Sequence, residues 1–240
     1  MMIRFLGVGG AFSPELGSSA AVVDTGLGTY TLIDAGCSTY GDLCRTHWID
    51  RITHIIVTHL HDDHVGSLGS IINHRYHVDK SPVTLVFPPW LREPLLTLLR
   101  LQRTSDPIEN FLKLQQLNGE ANQVGSTHIQ PVNTTGLHQE NMPSSAYVFQ
   151  GPDSTVAYSG DLADPDVVFD ALSDSDKPST VVFHDVSFAD NIRGSHVYYK
   201  ELDKHLDAGW DIRGYHNSPV SKPDDCRLKL VSEDPETAPQ

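Results

Sequence analysis

Basic residues are scarce in this chain: its 240 residues carry Lys+Arg 17 against Asp+Glu 31, a formal net charge of −14. That balance argues against non-specific binding of a nucleic-acid backbone, which needs a cationic footprint. A small anionic substrate stays admissible where bound divalent cations offset the charge locally. Cysteine is scarcer still. Cys37, Cys44 and Cys226 form no metal-type pair such as Cys-x-x-Cys. An odd, sparse set fits reduced thiols in a cytoplasm-like compartment, with Cys37 and Cys44 read as small packing residues. No apolar run approaches the roughly 18 residues of a membrane span, so no membrane partner is expected. The opening Met1–Leu6 lacks a secretory-leader pattern and reads as a strand. The length fits one large domain or two small ones, and no internal repeat is visible.

Histidine, by contrast, is abundant and clustered. Thr58-His59-Leu60-His61-Asp62-Asp63-His64-Val65-Gly66 places three histidines and two aspartates directly after the β-branched run Ile52–Val57. That run reads as a buried strand, so the cluster sits on a loop at a strand end. In an extended segment the rings of His59 and His61 leave the same side and can share one ion. Asp63 and His64 face a second. Imidazole plus carboxylate favours Zn²⁺, with Mn²⁺ or Fe²⁺ also accepted. Two ions about 3.5–4 Å apart can bridge a hydroxide and the oxygens of a phosphoryl or carbonyl group. The bland alternative, a solvated His-rich loop, does not account for the spacing.

The segment His59–His64 resembles the signature of the metallo-β-lactamase fold superfamily. The resemblance implies an α/β fold, an αββα four-layer sandwich over residues 1–220, with a dinuclear site at one edge of its two sheets. It also implies further ligands downstream. His138, in Gly136-Leu137-His138, would join His59 and His61. Asp161, in Ser159-Gly160-Asp161 after the hairpin Ser145–Gln150/Thr155–Tyr158, matches the family's bridging aspartate. His216, ending the strand Trp210–His216, would bind the second ion with Asp63, His64 and Asp161, and Asn217-Ser218-Pro219 resembles the polar turn that follows. Asp34, in Asp34-Ala35-Gly36, would lie beneath the site and hold the free N–H of a ligand imidazole.

The strand Val181–Phe188 runs into His184-Asp185, a pair costly to bury without a task. It resembles the His-Glu-Ala-Thr segment of the ribonuclease Z branch. By that resemblance His184 contacts the scissile phosphate and assists the leaving group, with Asp185, Asp164 or Asp166 nearby as orienting carboxylates. That branch also has a histidine near His196, which makes His196 a secondary candidate in the first turn of an amphipathic helix, Gly194–Ala208, capped by Ser195. Gly7–Pro14 reads as a tight turn at the site rim rather than a phosphate cradle, because no Gly-Lys-Ser/Thr follows. Helices are expected over Gly41–Trp48, Val65–His74, Trp90–Leu101 and Ile108–Leu117, the third a candidate dimer element. From Ser221 onward, residues 221–240 read as a mobile acidic tail.

The combination of Asp63 with a final histidine ligand, His216, is shared by the nuclease and phosphodiesterase branches. The expectation is therefore a cytoplasmic dinuclear metal-dependent hydrolase acting on a small phosphodiester, such as a cyclic nucleotide or a short oligonucleotide. Asp63 would orient the attacking water and His184 assist the leaving group. A ribonuclease Z-type tRNA 3′ endonuclease is the runner-up, weakened by the charge and by the lack of the long glycine-rich, basic arm of that family. An ester, lactone or β-lactam hydrolase on the same scaffold, and a binding module without chemistry, are the remaining alternatives.

Overall fold

The computed structural model describes residues 1–102, 107–119, 122–189, 194–217 and 220–239. Among them two sheets are formed. The first contains β1 (Ile3–Gly7), β2 (Ala20–Gly26), β3 (Thr29–Ile33), β4 (His54–Ile56), β5 (Thr84–Phe87) and β6 (Lys113–Gln116) in sequential order. The second contains β7 (Gln123–Val124), β8 (Thr127–Asn133), β9 (Ser145–Gln150), β10 (Thr155–Tyr158), β11 (Thr180–Asp185), β12 (Asp211–Tyr215) and β13 (Lys229–Leu230), again in sequential order. Each sheet joins an antiparallel part to a parallel one: β3 to β6 run parallel, as do β10 to β13.

Strand alternation sorts the apolar residues into layers. In β2, Ala20 and Val22 face outward to α1 (Thr39–Arg45), α3 (Leu68–His77) and α4 (Arg92–Gln102), while Ala21 and Val23 face the other sheet. In β11, Phe183 joins the core between the sheets and Val182 the outer core beneath α5 (Asp166–Phe169) and α6 (Asp203–Asp207). Three apolar cores between four layers make the αββα sandwich that the histidine signature implied.

The parallel strands all end at one edge. β3 runs into Asp34, β4 into the histidine loop and the short α2 (Asp62–Val65), β10 into Asp161, β11 into Asp185 and β12 into His216. Side chains from the carboxyl ends of adjacent parallel strands therefore converge there, as ligand sites in α/β sheets generally do. Two bonds tie the sheets together beneath this edge: Ser145 N–H to the Thr58 carbonyl (2.8 Å) and the Tyr147 hydroxyl to the Val57 carbonyl (2.7 Å).

Three segments differ from expectation. Ile108–Leu117 is not a helix; after one 3₁₀ turn it becomes β6, because the free edge of β5 offers backbone partners from Val83 to Phe87. Gly194–Ala208 is not a continuous helix either. Its first residues run extended, with Val197 and Tyr199 bonded to Ser187, before a 3₁₀ turn and α6. The acidic C-terminal segment packs on the body: Leu228, Leu230 and Val231 are buried, and the Thr237 carbonyl accepts the Phe5 N–H at 2.9 Å. Its sparse apolar residues, hidden in an acidic composition, build β13. No helix among the described residues is long and apolar enough to cross a membrane.

Candidate active site

The histidine loop is held from below. Asp34, buried and in the left-handed region at φ 62°, accepts the Thr58 N–H at 2.7 Å and lies 2.8 Å from His64 Nδ1. A non-glycine residue there is strained unless its surroundings fix it, and here strand, loop and imidazole all do. The next two residues continue the cradle. Ala35 N–H bonds to the His64 carbonyl, and any Cβ on Gly36 would overlap the Asp63 carbonyl.

Above this cradle the donor atoms gather in two sets. His59, His61 and His138 form one; Asp63, His64, Asp161 and His216 form the other; within each set the donor atoms lie within 4.8 Å of one another. His59 and His138 turn Nε2 inward and His61 turns Nδ1, at 3.1 and 3.2 Å from it. The outer nitrogens have partners: Gln139 Oε1 for His61 (2.8 Å) and the Ser195 carbonyl for His138 (2.6 Å). Asp161 stands between the sets. Its Oδ2 lies 3.8 and 3.7 Å from His59 and His138, and 3.4 and 3.3 Å from His64 and His216.

Two observations fit this arrangement to divalent cations. Among the described residues His64 Nε2 and Asp161 Oδ1 are buried with no hydrogen-bond partner, which is costly unless a cation meets them. The electrostatics agree. Burial, with the neighbouring His64 charge, holds His59 well below its ordinary value, a neutral ligand form. Burial opposes charge on His64 too, but Asp161 and Asp34 outweigh it and raise the ring well above its ordinary value. A field that would hold a proton there would also hold a metal ion.

The centre opens into a cleft of about 820 Å³. Its walls come from the Gly10–Pro14 turn, Cys37 and Ser38, and the Ser195–His196 segment. No lysine or arginine lines it among the described residues. Cys37, expected as a packing residue, is instead exposed on this wall, its Sγ 3.3 Å from the Asp62 carbonyl.

His184 does not reach the cleft. It is fully buried, its Nδ1 2.9 Å from the carbonyl oxygen of Asp185. The reason is the period of two along β11: Asp185 shares the inward face of Phe183, and His184 shares the outward face of Val182. Beside the candidate ligands His61, His138 and His216, the cleft is lined by His196, whose Nδ1–H donates to Asp185 Oδ2 at 2.9 Å. Its ring stacks on His216 with centroids 4.9 Å apart. Burial works against its charge, but the hydrogen bond and the carboxylates of Asp185 and Asp161 push it up to about 9. Asp164 is exposed and accepts only the Asp166 N–H, and Asp166 pairs with Lys204 and His205; neither meets His184. Ser218 and Pro219 of the expected polar turn lie outside the described residues.

Comparison with known proteins agrees with this geometry. Human tRNase Z, short form, superposes with a TM-score of 0.67 at 20% identity, covering 94% of this chain and 97% of that one. Human zinc phosphodiesterase ELAC protein 1 is 33% identical over 111 residues, 43% of this chain but 30% of that protein's length. Anti-Pycsar protein Apyc1 of Bacillus phage 010DV004 is 28% identical over 219 residues, 84% of this chain and 82% of that one. Residues 1–216 match the family described as Anti-Pycsar protein Apyc1, and the chain belongs to it: a metal-dependent hydrolase of the metallo-β-lactamase fold, in the ribonuclease Z-like, phosphodiesterase branch.

Proposed function

We propose that this protein hydrolyses a small phosphodiester, a cyclic nucleotide being favoured by its membership of the anti-Pycsar family. The observation that carries the reading is the pairing of the seven-residue donor set with a protonatable histidine, His196, on the same cleft. His59, His61 and His138 would hold one ion, and Asp63, His64 and His216 the other, with Asp161 shared. Bound there, two divalent ions, zinc by its donor chemistry, supply Lewis-acid polarisation of phosphoryl oxygens and activation of water at neutral pH.

The chain's own groups do the rest. Asp63 is partly buried, which opposes its charge, but hydrogen bonds to His216 and His64 hold its carboxyl far below the usual range. It is an anion at any working pH and orients the attacking water. His196 keeps a proton on Nε2 and passes it to the departing alkoxide, while Asp185 fixes the ring through Nδ1. His184, expected in this role, is buried and does not line the cleft. A leaving-group acid is of most use against a poor leaving group such as a ribose alkoxide. Among the described residues no lysine or arginine lines the cleft, which disfavours a long polyanion such as tRNA.

Zinc- or manganese-loaded protein should cleave a 3′,5′-cyclic nucleotide to the monophosphate. It should also cleave bis-p-nitrophenyl phosphate, and Asp63→Ala should abolish both. Activity confined to carboxyl esters or lactams, with metal demonstrably bound, would overturn the reading.

A further inference from the structure

The turn between β1 and β2 carries a feature the hydrolytic centre does not use. Phe12 is 90% exposed and lines the cleft. A single exposed phenyl is ordinary on a protein surface; this one is set on a clamped support. Gly10 N–H and the Ser13 hydroxyl both donate to the Asn217 carbonyl, at 3.1 and 3.0 Å. Ser13 N–H closes the turn on the Gly10 carbonyl at 3.0 Å. Val8 and Gly9 bond across to Leu16 and Gly17. Gly10 lies flat on the candidate ligand His216, for a Cβ there would stand 3.0 Å from the ring's Cε1. Ala11 and Phe12 form the exposed tip between these anchors. The turn that carries the phenyl on the cleft wall is thus tied to the strand end that supplies His216.

We propose that Phe12 is a stacking platform for a nucleobase, so that the cleft selects a cyclic nucleoside monophosphate, phosphate on the histidine–aspartate centre and base on the rim. This rests on the phosphodiesterase reading and adds the residue that recognises the base. The chemistry of the walls supports it. Among the described residues the cleft offers an aromatic face and neutral groups such as Ser38 and Ser187 rather than lysine or arginine, which suits an uncharged base. Stacking on an aromatic face accepts any base, so the platform sets the substrate class rather than the base identity.

The test compares two substrates and adds a binding readout. Zinc-loaded wild-type protein and Phe12→Ala are assayed on adenosine 3′,5′-cyclic monophosphate and on base-free methyl riboside 3′,5′-cyclic phosphate. The ratio of kcat/KM between the two should fall about tenfold in Phe12→Ala, through KM rather than kcat. Phe12→Trp should restore the ratio. The added indole of Phe12→Trp should also be quenched by the cyclic nucleotide and not by the base-free compound. An unchanged ratio together with unquenched fluorescence would overturn the platform while leaving the hydrolytic reading intact. Quenching without turnover of either compound would support the platform and overturn the hydrolytic reading.

Discussion

The same two-residue device appears at both ends of the site with opposite outcomes. On the first sheet a buried carboxylate, Asp34, grips His64 at Nδ1 over 2.8 Å; on the second a buried carboxylate, Asp185, grips His196 at Nδ1 over 2.9 Å. The difference lies in where the other nitrogen goes. His64 is fully buried and points Nε2 at Asp63 and Asp161, 3.4 Å from each, where only a cation satisfies all three groups. The side chain of His196 is 25% exposed and lies on the wall of the cleft. In the proposed reaction one pair would present a lone pair to a metal and the other a proton to a substrate. A carboxylate behind an imidazole therefore does not define a role; the environment of the far nitrogen does.

Removing what the two pairs share should have the largest effect. Asp161 lies within about 4 Å of four candidate ligands and of His196 Nδ1. Asp161→Ala should cost at least about 10³-fold in kcat/KM and reduce the bound zinc measured by atomic emission. Full activity with full metal content would show that the two donor sets do not work as one centre.

Breaking one pair at a time separates the roles. His196→Ala should lower kcat on a cyclic nucleotide by about 10²–10⁴-fold without loss of bound metal. The loss should be far smaller on bis-p-nitrophenyl phosphate, whose phenolate leaves without a proton. Asp34→Asn should do the reverse, weakening metal affinity about 10–100-fold, with activity recovered in excess zinc. Equal losses on both substrates in His196→Ala would make that histidine a binding group rather than an acid.

The pairs also differ in their response to pH. His196 is raised to about 9, so its acid form is present below that pH and lost as pH rises through it. The kcat/KM profile on the cyclic nucleotide should fall on the alkaline side near pH 9. Asp185→Asn removes the charge that raises the ring, so the fall should move toward the ordinary histidine range near 6.5. A limb that stays near pH 9 in Asp185→Asn would assign it to another group.

The two sheets were not equally legible in the sequence. The first supplies its part of the site as one contiguous loop, so spacing alone carried His59 to His64, and the left-handed Asp34 lay where the resemblance placed it. The second supplies one residue per strand end, which no local spacing records; His138, Asp161 and His216 were found only by their order along the chain. The burial of His184 away from the cleft follows a legible rule. Phe183 is the apolar residue aimed between the sheets, and strand alternation sends Asp185, not His184, the same way. The apolar spacing of Val197, Tyr198 and Leu202 suggests a helix from Gly194, which would not bring His196 to Asp185. Pairing with Ser187 pulls that stretch straight instead and lays the ring beside Asp185.

The smallest expected effect is the sharpest check on that correction. His184 is buried, outside the cleft, and its Nε2 has no hydrogen-bond partner. His184→Leu exchanges an imidazole for an apolar side chain of similar size among Val182 and Val186, the outer-core neighbours of its strand face. The exchange relieves the unpaired Nε2 but gives up the Nδ1 contact with the Asp185 carbonyl, so Tm should move by no more than about 2–4 °C. The value of kcat on the cyclic nucleotide should stay within about threefold of wild type, against the 10²-fold or greater loss expected for a leaving-group acid. A loss of that size on the cyclic nucleotide, absent on bis-p-nitrophenyl phosphate and without a fall in Tm, would return the proton to His184. Asp185, whose Oδ1 lies 3.0 Å from His184 Nδ1 and whose Oδ2 lies 2.9 Å from His196 Nδ1, would then support two working histidines.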